Sequence, residues 1–170
     1  MVAPFKTVAE ALLPMDLRTM LEFNRRFGFV IHEEPTHLTQ EKAGERATCM
    51  QEELDEFREA VEQQNMAKML DALVDLDYFL KGTIAMMGLQ HVYGAAWLEV
   101  HRANMDKVPG VGPRGFTADL IKPKGWQPPN IDALLSLYGY RRSKFVNPET
   151  GWVEDFMCCG ELKVKVANDV

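Results

Sequence analysis

The spacing of apolar residues divides the chain into a helical first part and a remainder of a different kind. Apolar residues recur every three or four positions in four segments, which is typical of amphipathic helices. The predicted helices span about residues 16–27, 39–64, 66–87 and 91–108. We expect Asp16 to be the N-cap of the first helix and Thr39 to begin the second, while Gly28 and Gly88 end helices one and three. The pattern therefore predicts an all-α fold, a four-helix bundle.

The remainder of the chain lacks this helical periodicity. Residues 109–130 are rich in proline and glycine, so we expect them to cross the surface without regular structure. A short helix is predicted from Ile131 to Tyr138. Residues 144–166 resemble strands interrupted by turns, with 147–151 as a candidate hairpin. We therefore predict two parts, a helical catalytic domain over residues 1–108 and a partly β extension over residues 109–170.

Composition excludes several classes of protein. The net charge of −6 argues against a nucleic-acid backbone as the partner, and no apolar run approaches the roughly 20 residues that span a bilayer. The first residues do not have the pattern of a signal peptide. The three cysteines, Cys49, Cys158 and Cys159, fit neither a disulfide framework nor a zinc site. A globular protein of the cytoplasm, bound to neither membrane nor nucleic acid, is expected.

Helix two has one apolar stripe, and three glutamates lie beside it. The stripe consists of Met50, Leu54, Phe57 and Val61. Glu53 and Glu56 fall just off its edge, and Glu52 lies one turn before Glu56 on the same side. Such a run is often only a solvated acidic face, which is our interpretation of the other acids of this helix, Asp55, Glu59 and Glu62.

Helix three makes a purely solvated face less plausible. Its apolar residues occur all round the helix, which predicts burial on most sides, yet it includes Asp71, Asp75 and Asp77. Buried acids are usually paired, protonated or bound to metal. Asp71 and Asp75 are one turn apart on one face. Asp77 points nearly opposite, so we expect it to bond another helix or subunit.

Helices two and three are joined by a tight turn, so their acidic faces can meet. The five carboxylates of Glu52, Glu53, Glu56, Asp71 and Asp75 would repel one another unless cations compensate. Mg²⁺ or Mn²⁺, two or three ions per site, suits these oxygen ligands and can also bind substrate phosphates. The sequence has no GxxxxGK[ST] phosphate loop. A nucleoside triphosphate bridged by metals is the predicted substrate.

Three segments resemble the all-α NTP pyrophosphatase superfamily, the MazG-like enzymes, and especially its small virus-encoded members. They are MQEELDEFREAV (50–61), DALVDLDYFLKGT (71–83) and EVHRANMDKV (99–108). The resemblance covers about residues 20–108, with weaker similarity in 121–131. The family motif is ExxE followed by ExxD on the next helix.

The match to this motif is complete in its first half and shifted in its second. Glu53 and Glu56 form the ExxE, and Glu52 is the extra acid of many members. Asp75 matches the aspartate of ExxD. The position three residues before it is Ala72, and the acid lies one residue earlier at Asp71, on the same helical face.

The resemblance implies an enzyme that hydrolyses a nucleoside triphosphate to the monophosphate and pyrophosphate. It implies that Glu53 or Glu52 accepts a proton from the attacking water. On helix four, Asn104 and Lys107 match an N-x-x-K pattern that contacts the substrate phosphates. On helix one, the family places residues against the base, which makes Phe23, Asn24 and Phe27 candidates.

The resemblance also implies a homodimer or homotetramer, because such bundles often complete their core across subunits. Relatives act on dGTP, dUTP or dCTP, and the sequence does not choose among them; a virus-encoded chain would work in the host cytoplasm. Trp97 and Trp126 are further candidates for stacking on the base. Arg46 either contacts phosphate or pairs with Glu45.

Three other interpretations remain. The chain could be a phosphoribosyl-ATP pyrophosphohydrolase, a relative with the same helices and chemistry, although VHRANMDK (100–107) fits the nucleotide-cleaning group better. It could be a non-enzymatic helical interaction module with solvated acids. A di-iron bundle would need a Glu-x-x-His pair on each of two helices, whereas this chain has the spacing once, at Glu34 and His37, within the predicted loop 29–38.

Overall fold

The structure is a computed structural model that describes residues 7–112, 115–116, 119–146 and 153–158. Within them lie six helices, α1 (Val8–Ala11), α2 (Met15–Phe27), α3 (Gln40–Glu62), α4 (Met66–Met86), α5 (Tyr93–Met105) and α6 (Ile131–Leu137). There are also four strands, β1 (Val108–Gly110), β2 (Asp119–Ile121), β3 (Arg141–Val146) and β4 (Val153–Cys158). The predicted all-α class is confirmed.

The four long helices match the predicted segments, with differences at the ends. The predicted N-cap Asp16 is wrong, since Pro14 precedes α2 and the Asp16 carboxylate accepts a hydrogen bond from its neighbour Leu17 inside the first turn. Helix α5 is shorter than predicted, because Pro109 disfavours helical geometry at Val108, which instead begins β1. The short helix α1 was not predicted.

Local capping sets the positions of α3 and α4. The hydroxyl of Thr39 accepts a hydrogen bond from the backbone of Lys42 at 3.1 Å, and the amide of Asn65 accepts one from Lys68 at 3.2 Å. Only three residues, 63–65, separate the two helices. A connection this short makes α3 and α4 antiparallel neighbours.

The packed interior lies between α2 and the second half of α4. Met20, Leu21 and Ala85 form its centre, and each is at most 2% exposed. Here α2 packs along α4, and α4 packs along α3 on its other side. Helix α4 is therefore the element shared by the two helix pairs.

The segment between α2 and α3 is fastened to the end of α4. The backbone of His32 donates to the carbonyl of Ala85, and that of Thr36 donates to Met87. The buried side chain of Gln90 donates to the carbonyl of His32 at 2.9 Å. Gly88 has a φ of +66°, and a Cβ there would lie 2.0 Å from the carbonyl oxygen of Glu34.

A buried lysine joins α2 to α4. The ammonium of Lys81 pairs with Asp77 on its own helix and with Asp16 of α2 at 3.0 Å. Burial by itself lowers the pKa of Lys81, but hydrogen bonds to both carboxylates outweigh this effect and raise that pKa above its ordinary value. The expected separate role of Asp77 is thus an ion pair that includes a second helix.

Helix α5 begins a second packed unit. It packs against α6, and β1 pairs antiparallel with β2 with Val108 opposite Ile121. The prediction that 109–130 lacks regular structure is therefore wrong at β2 and at residues 109–110 of β1. Strands β3 and β4 pair antiparallel as predicted, with Val146 opposite Val153. The predicted turn at 147–151 lies outside the described residues.

Much apolar surface of α4 is uncovered in one chain. The prediction that α4 is buried on most sides is wrong for a single chain. Its outer face exposes one stripe of large apolar residues, namely Met66, Leu70, Leu73, Val74 and Leu80. Among the described residues, no helix is both long enough and apolar enough to cross a membrane.

Replacing Gly88 by alanine should destabilise the chain by about 2 kcal/mol or more, because the new Cβ would collide with backbone at a positive φ. Gly94→Ala is the matched control, since nothing lies within 4 Å of a Cβ at that helical position. It should stabilise by up to about 1 kcal/mol. Urea denaturation measures both, and equal effects would contradict this view of the Gly88 turn.

Candidate active site

Glu53 is the centre of the acidic cluster. Burial raises the pKa of its carboxyl, and the negative charges of four surrounding acids raise it further; in order of effect these are Glu56, Asp75, Glu52 and Asp71. Its Oε2 is buried and has no hydrogen-bond partner within the described residues. The two acidic helix faces predicted from the sequence therefore do meet, around one incompletely satisfied carboxylate.

A cleft opens beside this cluster, toward the connection between α3 and α4. Its volume is about 240 Å³, and it is lined by Glu56, Glu59, Ala60, Gln63, Lys68 and Asp71. Glu56 and Asp71 thus face a common space from opposite helices, which supports the shifted position of the acid on α4. Lys68 places an ammonium in the same cleft.

Arg46 connects the two helices two turns before Glu53. Its guanidinium donates to the carbonyl of Phe79 at 2.6 Å and to the hydroxyl of Thr83 at 3.0 Å, both on α4. It also lies over the ring of Phe79, 5.0 Å from the centroid. Gly82 leaves room for it, because a Cβ there would lie 3.0 Å from Nη2.

These contacts give Arg46 a structural position. Glu45, the pairing partner considered from the sequence, is joined instead to Lys42. Burial lowers the pKa of Arg46, and the nearby Cys49 opposes that shift. We conclude that Arg46 holds α3 against α4; contact with a substrate phosphate stays a prediction.

The acids fit a hard divalent cation in charge and in ligand type. Mg²⁺ and Mn²⁺ prefer oxygen donors. Burial raises the pKa of Glu53 first, and the charges of its four neighbours raise it further, which a bound cation would offset. As the side chains stand, no three His, Cys, Asp or Glu residues among those described are close enough to form a metal-binding group. The exposed Glu52 and Glu56 would have to turn inward to act as ligands.

An aromatic cluster adjoins the acids. The ring of Phe23 contacts Phe27, Phe29 and Tyr78, with centroid distances of 4.7, 5.9 and 5.2 Å. Phe27, Phe29 and Tyr78 are all exposed. Burial raises the pKa of Tyr78, and the charge of Asp75 adds to the shift, so this cluster and the acids are neighbours. The surface therefore offers flat apolar faces within reach of the carboxylates.

The three residues proposed to contact the nucleobase have different surroundings in the structure. Phe23 lies at the middle of the aromatic cluster and Phe27 at its exposed edge. Asn24 is 3% exposed, and its Nδ2 has no hydrogen-bond partner among the described residues. A buried amide with an unpaired donor is costly, which is typical of a position kept for a ligand or for specific packing.

The two candidates of the fourth predicted helix, Asn104 and Lys107, lie at the end of α5 and just beyond it. Asn104 is exposed and Lys107 is half-buried at the end of this helix, where α5 packs against α6. Trp126 donates its indole N–H to the carbonyl of Ala103 at 2.7 Å. Trp97, in contrast, is 62% exposed.

The extension is further fixed to α5 through Glu99. Hydrogen bonds from Arg102 and from the backbone of Asn130 lower the pKa of the Glu99 carboxyl to about 2. Arg102 also pairs with Asp106 at 3.0 Å. Residues 126–130 are therefore part of the surface that surrounds Asn104 and Lys107.

Sequence reasoning missed three side chains near the site. Lys68 lies one turn before Asp71 on the same helical face, so its position could have been derived from spacing. Tyr78 likewise follows Asp75 by three residues. Phe29 lies beyond the end of α2, and its stacking on Phe23 depends on a turn that spacing does not describe.

The helical fold and the paired acidic faces define a hydrolase of the all-α pyrophosphohydrolase type, one that cleaves phosphoric anhydrides. A model of the phosphoribosyl-ATP pyrophosphohydrolase family matches residues 20–104, half of the chain. The chain belongs to this family, which is a member of the MazG-like all-α NTP pyrophosphatase superfamily. The match covers α2 from Met20 onward, all of α3 and α4, and nearly all of α5. No curated protein matches the chain significantly.

Glu53→Gln should raise the melting temperature in EDTA by on the order of 2 °C. An acid whose pKa is raised on folding destabilises the folded chain increasingly as pH rises from the ordinary pKa through the raised one, and the full cost applies above it. Glutamine removes the charge and keeps the shape. Scanning calorimetry at pH 7 measures the change, with the exposed Glu62→Gln as control. A lower melting temperature than wild type would exclude net repulsion at Glu53.

Proposed function

We propose that this protein hydrolyses a nucleoside triphosphate, such as dGTP, dUTP or dCTP, to the monophosphate and pyrophosphate. The supporting observation is the buried, unpaired carboxylate oxygen of Glu53 among four further acids. A structural role would favour neutral or oppositely charged neighbours there. A site for divalent cations and a polyphosphate explains why the charges are uncompensated.

The acids would have distinct tasks. Glu52, Glu53, Glu56, Asp71 and Asp75 would hold two or three Mg²⁺ or Mn²⁺ ions. Those ions, when bound, neutralise phosphate charge and make a bound water more acidic. Glu53, or Glu52 beside it, accepts the proton of the water that attacks the α-phosphorus.

The remaining candidates would bind the two ends of the substrate. Asn104 and Lys107 donate to phosphate oxygens, and Lys68 is placed in the cleft to do the same. The base stacks on the exposed ring of Phe27 and its neighbour Phe23, and Asn24 supplies an amide with an unpaired donor. The exposed aromatic faces suit a flat heterocycle.

A second copy of the chain would complete this site. In one chain α5 packs against α6, whereas the acids lie between α3 and α4. Apolar side chains are left exposed on α4 at Leu70 and Leu73 and on α5 at Trp97 and Leu98. We infer a homodimer or homotetramer that covers these faces and brings Asn104 and Lys107 toward the acids of another copy.

Phosphoribosyl-ATP is the second candidate substrate, because the matched family model has that name. It is itself a nucleoside triphosphate, so the acids would act on it in the same way. It differs in having a further phosphorylated sugar beyond the base. The exposed aromatic rings can stack on the base of either substrate, so the assay below decides between them.

The direct test is pyrophosphate release from ribo- and deoxynucleoside triphosphates and from phosphoribosyl-ATP, with Mg²⁺ or Mn²⁺. We expect turnover of at least one deoxynucleotide. Glu53→Gln and Asp75→Asn should each lower kcat roughly 10²-fold or more, because each removes a charged group on which the chemistry depends. Glu62→Gln, an exposed acid, should retain activity. Full activity in Asp75→Asn would remove the assigned site, and exclusive turnover of phosphoribosyl-ATP would replace the substrate.

Light scattering after size exclusion tests the second copy. Wild type should elute at two or four times the chain mass, and Leu73→Glu should yield monomers, because a carboxylate on a buried apolar face costs several kcal/mol. Leu12→Glu, at an 82% exposed position outside α4 and α5, should leave the assembly intact. A fully active wild-type monomer would show that one chain is sufficient.

A further inference from the structure

The β1–β2 pairing places two lysines side by side. Val108 lies opposite Ile121 at one end of the ladder, so Lys107 and Lys122 are the residues that adjoin this last pair, one on each chain segment. Residues that adjoin the last pair of a ladder stay close together, because neighbouring strands lie about 5 Å apart. Lys122 is 15 positions away in sequence, so only this pairing brings it next to Lys107.

Two further contacts fix the position of Lys122. Its ammonium lies over the ring of Trp126, 4.4 Å from the centroid, and the same indole donates to the carbonyl of Ala103 on α5. The strands approach closely, since a Cβ at Gly110 would lie 2.8 Å from the side chain of Ile121. Lys122 is therefore held against the end of α5 beside Asn104, the neighbour of Ala103.

Two acids of this region have a cationic partner other than the lysines. Glu99 and Asp106 both pair with Arg102. Neighbouring ammonium groups repel each other, and the chain as a whole is acidic, at −6. A local pair of cations in such a chain is suited to an anion with several charged oxygens.

We infer that Lys122 is a second phosphate-binding residue, which together with Lys107 contacts the β- and γ-phosphates that leave as pyrophosphate. This inference rests on the proposed function. The acids of α3 and α4 would surround the α-phosphate, so the rest of the polyphosphate extends away from them toward cations. Two ammonium groups stabilise the negative charge that develops on the leaving group.

The alternative role for Lys122 is packing on Trp126 alone. Arginine preserves both the cation over the indole and the contact with phosphate, whereas glutamine removes both. Lys124 is the control, because it is exposed, lies two residues away and has the same charge. A structural role would lower the melting temperature; a binding role would not.

The experiment compares Lys122→Gln, Lys122→Arg and Lys124→Gln in the full-length protein. We expect Lys122→Gln to raise KM for the preferred nucleotide roughly tenfold, with a melting temperature unchanged to within about 1 °C. Lys122→Arg should restore KM, and Lys124→Gln should match wild type. In parallel, calorimetric titration with inorganic pyrophosphate and Mg²⁺ should show the same tenfold loss of affinity in Lys122→Gln.

The pyrophosphate titration separates the two claims. If no nucleotide is hydrolysed but Lys122→Gln still weakens pyrophosphate binding, the lysine pair stands and the proposed function fails. If nucleotides are hydrolysed and Lys122→Gln equals Lys124→Gln in both KM and pyrophosphate affinity, Lys122 has no binding role. A melting temperature lowered by several degrees in Lys122→Gln, with unchanged pyrophosphate affinity, would assign it to packing.

Discussion

The contact of Arg46 with α4 is the constraint on which the site depends. Its guanidinium bonds the carbonyl of Phe79 and the hydroxyl of Thr83, so it fixes how far α3 can slide along α4. A glycine at 82 provides the space. Because the two helices also share a three-residue connection, their relative position is fixed at both ends. Glu53 is held opposite Asp75 between these two points.

That arrangement opposes the electrostatics of the acids themselves. Glu53 is half-buried, and its pKa is raised by burial and by the charges of four neighbouring carboxylates. The bonds of Arg46 to α4 and the three-residue connection hold together α3 and α4, the helices that the acids would push apart. Local destabilisation of this kind is common where a charged ligand completes a site. It also connects stability to function, since the ligand that relieves the repulsion would be the one used in the chemistry.

Local patterns predicted most of the helices and the convergence of the acids. The ends of α3 and α4 follow from the caps Thr39 and Asn65, and the meeting of Glu53 with Asp75 follows from helical spacing on two adjacent helices. Contacts between distant segments were not predictable in this way. The bonds of Arg46 and the pairing of Val108 with Ile121 depend on packing, which periodicity does not encode. For the same reason the substrate base and the virus-encoded origin stay predictions.

The most direct test of the central claim uses electron paramagnetic resonance to measure Mn²⁺ binding, in the wild type and in Asp75→Asn, without any nucleotide. In the wild type we expect saturable binding of about two or three Mn²⁺ ions per chain. In Asp75→Asn we expect the loss of at least one Mn²⁺ ion or a large fall in the affinity for Mn²⁺. Manganese binding that is absent from the wild type, or identical in the two proteins, would contradict a metal site built from the acids of α3 and α4.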